Sequence, residues 1–460
     1  MTCNERLEAV RILVRLDQKE AYASDELDIL FRKHPEWRRE QKSLITKLVY
    51  TVLTYDLRLD CFIDLYSRTP VRRMDPYIRQ VMRISAAQLL FLTKIPQRAV
   101  VNEAVALVKQ SACKNLSGYV NAVLRAAIRG GLRESWPEAG TDPIAHWSVR
   151  ASLPKWMLEM WRDAYGLDVC MQTARNLSKP RPLSIRVNRL RTDPEQLMQE
   201  LGDREVRKGL YVEDALQLVN PGDITELPAF KEGRFTVQDE SSMLCVRALD
   251  PQPGEKILDL CAAPGGKSTY MAERMRNSGL VEARDISDVK CARIMENVER
   301  LGTSIVTAKV SDVAVPRPED AGRWDRVLLD APCSGLGVLR NKPDMKRHRG
   351  PEDLAELAKL QRQMMETAAQ AVRPGGVFVY STCTLSPAEN EENVASFLAD
   401  HPEFARDPLP EDWPEIRFAG TASERSGFAM AAAAGMLTIF PETEGLDGFF
   451  IARMRRNVGL

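Results

Sequence analysis

The chain has 460 residues, 44% of them apolar and 28% charged, and its 64 basic and 64 acidic side chains cancel. That length suits about three domains, and the composition is that of a folded, water-exposed protein rather than a disordered one. No apolar run reaches the ~18 residues of a membrane span, and the acid-bearing start "MTCNERLEAVRILV" lacks a leader's cleavage site, so a cytoplasmic location is expected.

Nine cysteines form no C-x-x-C pair and the four histidines lie far apart in sequence, so neither a metal site nor a disulfide framework is expected. Charge is uneven: residues 1–150 carry +7 and the remainder −7. A basic front end suits an anionic partner such as nucleic acid, and it equally suits a solvated helical surface.

In chain order, residues 1–130 read as helices. "RLEAVRILVRLDQ", "QKSLITKLVYTVLTYDLRLDCFIDLY", "PYIRQVMRISAAQLLFL", "AVVNEAVALVKQSA" and "GYVNAVLRAAIR" repeat apolar residues at helical spacing, the pattern of a bundle. The Gly- and Pro-rich stretch 129–143 marks a boundary. Residues 144–240 are mixed: "LPKWMLEMWRDAYG" is an amphipathic helix, "PLSIRVNRL" a strand and "DPEQLMQELG" a helix. From 255 strands and helices alternate, starting with "EKILDLC", "GKSTYMAERMR", "LVEARDI" and "VKCARIMENVERLG". "IVTAKVSD", "WDRVLLDAP", "LAELAKLQRQMMETAAQAV" and "GGVFVYST" continue the pattern, and "AAAGMLTIF" and "GFFIARMRR" close it. The expected fold is an all-α bundle followed by an α/β Rossmann-like domain with a mainly parallel sheet, whose ligands bind at the carboxyl ends of the strands.

The turn "ILDLCAAPGGKS" (257–268) follows the first such strand. Gly265 and Gly266 let the backbone approach a ligand closely. The turn is neither a dinucleotide fingerprint nor a phosphate-binding P-loop, because the glycines those motifs need are missing. Acids recur after later strands: Asp285, Asp312 and Asp330. Each alone reads as a cap or loop end. Their recurrence suits a ligand with a ribose, a base and a cation, which is the description of S-adenosylmethionine.

Cys333 and Cys383 also leave strands at that edge, whereas the usual fate of such a residue is as a small buried hydrophobe. That fate is expected for Cys3, Cys61, Cys113, Cys170, Cys245, Cys261 and Cys291. A thiolate can add to C6 of a pyrimidine, which makes C5 electron-rich enough to take a methyl group from a sulfonium. The C5 proton must then leave and the thiol must be expelled, so a nucleophile and a second proton-handling group are both wanted. An acid near N3 of the base stabilises the adduct. Cys383, Cys333 and Asp330 meet these needs. A disulfide between the two cysteines is the other reading, disfavoured by the expected compartment.

"DLCAAPGGKST", "LLDAPCSGLGVLRNKPDMK" and "YSTCTLSPAENEENV" together resemble the Sun family of RNA cytosine-C5 methyltransferases. "RFTVQDESSML" and "GLDGFFIARMRR" look like the segments flanking that family's core. "VNEAVALVKQ" and "YVNAVLR" resemble the NusB-like domain preceding it in the bacterial 16S rRNA enzymes. The resemblance implies a NusB-like RNA-binding domain at 1–140, a linker and mixed extension at 141–240, and an S-adenosylmethionine-dependent methyltransferase domain at 241–460. It implies Cys383 as nucleophile, Cys333 in product release and Asp330 at the cytosine. It places Cys261, Ala262, Ala263, Pro264, Gly265, Gly266, Lys267, Asp285, Asp312 and Asp330 at the cofactor. DNA-type enzymes would instead make Cys333 the nucleophile. Family members often carry tryptophan where this chain has Arg347.

The expected partner is small-subunit rRNA. Arg340, Lys342, Lys346 and Arg347, with Arg349, form a basic run after the Cys333 loop and are expected to contact it; Arg125 and Arg129 are weaker candidates. The base must be turned out of its stack, at about a few kcal/mol. A methyltransferase for tRNA or a non-RNA substrate, and a non-catalytic assembly factor, are the alternatives. No membrane and no metal are expected as partners, and the oligomeric state is left open with a monomer favoured.

Overall fold

The computed structural model describes residues 4–18, 21–414, 434–441 and 445–459. They divide into two compact units, Met1–Ser178 with Leu339–His348, and Lys179–Val338 with Arg349–Leu460.

The first unit is helical. It contains α1 (Glu5–Gln18), α2 (Ala23–Lys33), α3 (Arg39–Tyr66), α4 (Pro76–Phe91), α5 (Gln97–Lys109) and α6 (Ser117–Arg129), then α7 (Pro143–Arg150), α8 (Lys155–Tyr165) and α9 (Leu167–Leu177). Starts are set by local chemistry. Asp75 accepts hydrogen bonds from the Tyr77 and Ile78 N–H groups with Pro76 in the first turn, and Asp142 does the same for Ala145 before α7. One continuous core runs through α1–α6, with Ile12, Leu13, Ile45, Leu48 and Met82 fully buried. By contacts, α7–α9 group with the helical unit.

The second unit holds two sheets. The smaller comprises β1 (Leu183–Val187), β2 (Val206–Lys208), β3 (Ala215–Leu218) and β4 (Phe235–Val237), in antiparallel order β2-β3-β1-β4, with α10 (Pro194–Glu200) and α11 (Pro228–Lys231) between them. Next comes α12 (Glu240–Leu249). The larger sheet then contains β5 (Lys256–Asp259), β6 (Leu280–Asp285), β7 (Val306–Val310), β8 (Trp324–Asp330), β9 (Val372–Thr382), β10 (Phe404–Arg406), β11 (Met436–Ile439) and β12 (Phe449–Arg456). Its helices are α13 (Gly266–Arg274), α14 (Asp288–Leu301), α15 (Pro351–Ala371) and α16 (Glu391–Asp400). The order is β10-β12-β9-β8-β5-β6-β7, with β11 also on β12. β9, β8, β5, β6 and β7 are parallel, and β10–β12 add antiparallel pairs at one edge.

Both faces of the central strands β5, β8 and β9 are covered, which is why they read as apolar runs; Ile257, Leu258, Val327, Leu328, Phe378 and Val379 are fully buried. The chain winds outward from β5 to β7 and then returns to place β8 on β5's other side. This reversal opens a crevice at the carboxyl ends of β5 and β8. The first two residues of the expected strand 432–440 lie outside the described residues.

Candidate active site

The turn after β5 forms one wall of that crevice. Gly265 caps α13 at φ +97, where a side chain would be strained, and a Cβ there would crowd Ile294 Cγ2 at 3.2 Å. A cleft of about 260 Å³ opens beside it, lined by Cys261, Ala262, Ala263, Pro264, Gly266 and Lys267 together with Asp330, Asp259 and Gln238. Gly265 shapes the turn and does not line the cleft.

Two buried polar atoms of lining residues, Asp259 Oδ1 and Gln238 Nε2, have no hydrogen-bond partner. Ser268 Oγ donates to the other Asp259 oxygen at 2.6 Å. Burial pushes the Asp259 carboxyl up to about 7. Asp285 lies one layer back, where Ala263 N–H donates to it at 3.0 Å and Lys290 pairs with it at 2.9 Å. Asp312 is exposed and accepts the Ala314 N–H at 2.9 Å. The cleft lining includes neither of these two acids.

Asp330 ends β8 between two donors. Lys267 Nζ lies 2.6 Å from one oxygen, and Ser381 Oγ donates to the other at 2.9 Å. Burial, the largest single influence, opposes the Lys267 charge, but Asp330, Cys245 and Asp259 together hold the ammonium above its usual value.

The carboxyl ends of β8 and β9 bring Cys333 and Cys383 together. Their sulfurs are 3.3 Å apart and both side chains are half-buried. Gly337 N–H donates to the Cys383 carbonyl at 3.0 Å, which fastens one loop to the other. A Cβ on Gly337 would sit 2.1 Å from the Gly448 carbonyl oxygen, so only glycine fits this crossing. The hydrogen bond with Cys383, and then burial, raise the Cys333 thiol well above its usual value, and Glu389 and Asp330 add to the effect.

Of the other cysteines, Cys170, Cys245 and Cys291 are buried as expected. Cys61 and Cys113 are half-buried instead, and Cys261 is half-buried in the cleft wall. Cys3 lies outside the described residues.

The basic run departs from expectation. Lys346 is buried, 2.9 Å from Asp56, and donates to the carbonyls of Ser152 at 2.7 Å and Thr54 at 3.0 Å. Arg347 pairs with Asp17, and Asp344 caps α2 through the Ala23 N–H at 2.8 Å. Lys346 and Arg347 thus hold segment 339–348 within the helical unit, and Lys346 has no surface to offer RNA. Lys342 is exposed and Arg340 is half-buried.

Sequence reasoning missed Asp259, Gln238, Ser381 and Glu389. Asp259 carried a signal, since it closes the strand that leads into the turn. Ser381 closes an apolar strand, whereas Gln238 and Glu389 are polar residues in polar segments, and only the fold brings the three to the site.

Comparison with known proteins places this geometry. A family profile described as 16S rRNA methyltransferase RsmB/F matches residues 246–455. A NusB family profile matches 3–129, and a ferredoxin-like domain of RsmF/B-like methyltransferases matches 153–225. The probable ribosomal RNA small subunit methyltransferase B of Bacillus subtilis is 36% identical over 451 residues, 97% of this chain and 98% of that protein. The crystal structure of PH0851 is 27% identical and aligns with a TM-score of 0.77 over 99% of this chain and all of that one. A methyltransferase homolog protein from Pyrococcus horikoshii is 28% identical, with a TM-score of 0.56 over 69% of this chain and 99% of that one. Matched by NusB, ferredoxin-like and methyltransferase profiles in succession and 36% identical over 97% of its length to a small subunit methyltransferase B, the chain belongs to the RsmB/F family of 16S rRNA methyltransferases.

Proposed function

We propose that this enzyme methylates C5 of a cytidine in small-subunit rRNA through a covalent bond between Cys383 and C6 of the base. The observation that carries the reading is the pair of thiols 3.3 Å apart at the strand ends, beside the cleft that Asp330 lines. S-adenosylmethionine is the methyl donor, and when bound it supplies an electrophilic methyl group on a sulfonium. The cleft suits it: its wall holds an unpartnered acceptor on Asp259 and an unpartnered donor on Gln238, groups that a ligand carrying both a cation and acceptors would satisfy.

In this reading the Cys383 thiolate attacks C6, and Asp330, held by Lys267 and Ser381, hydrogen-bonds the N3 edge of the base. Electron density moves to C5, which takes the methyl group. Loss of the C5 proton to a base then lets the C6–sulfur bond break, and Cys333 assists release by giving its proton to the departing Cys383 sulfur. Incubation with S-adenosylmethionine and 16S rRNA, followed by nucleoside mass spectrometry, is expected to yield 5-methylcytidine. Methyl transfer to a ribose or an exocyclic nitrogen would refute the reading, and transfer to tRNA alone would replace its substrate.

Asp259 makes donor binding pH-dependent. With its carboxyl near 7, the site is about half protonated at neutral pH, and a cationic ligand favours the charged form. Binding therefore releases protons, and affinity falls by up to ~10-fold per pH unit below 7. Isothermal titration in two buffers of different ionisation enthalpy checks this; Asp259→Asn is expected to remove the proton release.

Lys342 and Lys346 separate RNA contact from stability. Lys342→Ala is expected to keep the melting temperature and lower the salt slope of RNA affinity by about 0.7. Lys346→Ala strands Asp56 in the core and is expected to destabilise the helical unit by about 3–5 kcal/mol. Filter binding across salt concentrations and thermal melting are the two readouts.

A further inference from the structure

Behind the thiols lies a buried carboxylate that the reaction scheme does not use. Glu389 is fully buried, in the loop between β9 and α16. Ser334, next to Cys333, donates its N–H to Glu389 Oε2 at 2.9 Å and its hydroxyl to Oε1 at 2.5 Å. Gln361 of α15 donates to Oε2 at 3.0 Å and, through the same amide, to the Pro332 carbonyl at 2.9 Å. Ser334 Oγ also lies 2.6 Å from Thr384 Oγ1, the residue after Cys383. Both flanks of Cys333 are thus tied to one carboxylate, and one flank is tied onward to the Cys383 loop.

All three of these donors are neutral groups. A buried carboxylate without a cationic partner is costly to desolvate, and a glutamine would offer a similar shape without that cost. The charge itself therefore calls for a role, and it acts on Cys333, opposing a second negative charge there.

We propose that Glu389 is a positioning residue for methyl transfer: its carboxylate, bonded through Ser334 and Gln361, fixes the Cys333 loop beside the Cys383 loop and sets the two thiols apart in role. The proposal rests on the two-thiol reading. Glu389 touches neither base nor cofactor; it acts through Cys333. With the charge in place Cys333 remains a thiol, able to exchange a proton, and does not compete as a second nucleophile.

The test is thiol alkylation by iodoacetamide on the full chain without RNA, mapped by mass spectrometry across pH, alongside steady-state kinetics. Glu389→Gln removes the charge and keeps the shape. It is expected to raise Cys333 alkylation about tenfold at fixed pH as the thiolate fraction rises. The rate at Cys383 stays constant, and kcat falls with KM for RNA and donor unchanged. Glu389→Asp keeps the charge but not the reach: Cys333 alkylation stays low while kcat falls. Wild-type Cys333 reactivity in a folded Glu389→Gln enzyme would overturn the proposal. Should that variant not fold, Ser334→Ala carries the test: lower kcat at unchanged KM supports the proposal, and wild-type kcat overturns it. RNA adduct formation by Cys383→Ala would sink the two-thiol reading instead, and the alkylation profile, measured without RNA, would still report on Glu389.

Discussion

Cys333→Ala is expected to accumulate a covalent protein–RNA species, and Cys383→Ala to form neither adduct nor product. The two sulfurs are 3.3 Å apart, so geometry alone does not decide which one attacks. The proposed assignment gives the attack to Cys383, and the direction at Cys333 agrees with it: its bond to Cys383, burial and the charges of Glu389 and Asp330 all raise that thiol. With Cys383 attacking, losing Cys333 leaves bond formation intact and removes the proton-handling partner. Turnover should fall by about 10²–10⁴-fold, the usual worth of a general acid or base, and the adduct should survive denaturing electrophoresis. Methyl release from labelled S-adenosylmethionine and gel shift of labelled RNA are the measurements. The opposite pattern, an adduct in Cys383→Ala and none in Cys333→Ala, would reverse the assignment to the DNA-type arrangement.

What the sequence revealed of this site was what local pattern carries. The turn 261–267 stands between a four-residue apolar strand and a helix, and its glycines and small residues admit few other uses, so its place in the cleft wall was readable. The alternation from residue 255 gave the parallel sheet, and Cys333 and Cys383 were readable because each ends a strand. The order of strands that puts β8 against β9, and hence one thiol against the other, is not written locally. The basic run shows the limit most clearly. Five cations within ten residues read as a surface, yet Lys346 finds Asp56, 290 positions away in sequence, and is buried with it. Glu389 fails for the same reason: in "SPAENEENV" it is one acid among three, and only Ser334 and Gln361 single it out. Strands β2 and β4 have three residues each, too short for alternation to show.

Arg186→Met is expected to destabilise the catalytic unit by about 3–5 kcal/mol. Arg186 lies on β1 with no exposed surface, pairs with the buried Glu273 of α13 at 2.7 Å, and stacks 4.8 Å over the Tyr270 ring. It also donates to the Gly266 carbonyl at 2.6 Å, to Thr269 Oγ1 at 3.0 Å and to Gln238. Removing it strands the Glu273 carboxylate in the core. Burial already holds that carboxyl above its usual range, and without the guanidinium it rises further. The deficit is therefore smallest at low pH, where the carboxyl is neutral in folded and unfolded chains alike, and it grows as pH rises through the folded-state value. Chemical denaturation at several pH values reads this slope. The double variant Arg186→Met/Glu273→Leu removes the stranded charge and is expected to recover most of the stability, because a buried ion pair is worth little net against packed apolar groups. It is not expected to recover donor affinity. Gly266 and Gln238 line the cofactor cleft, and in the double variant nothing replaces the guanidinium that held them. Stability restored with binding still impaired would mark Arg186 as the link by which the small sheet holds the cofactor turn; recovery of both would reduce it to half of an interchangeable core pair.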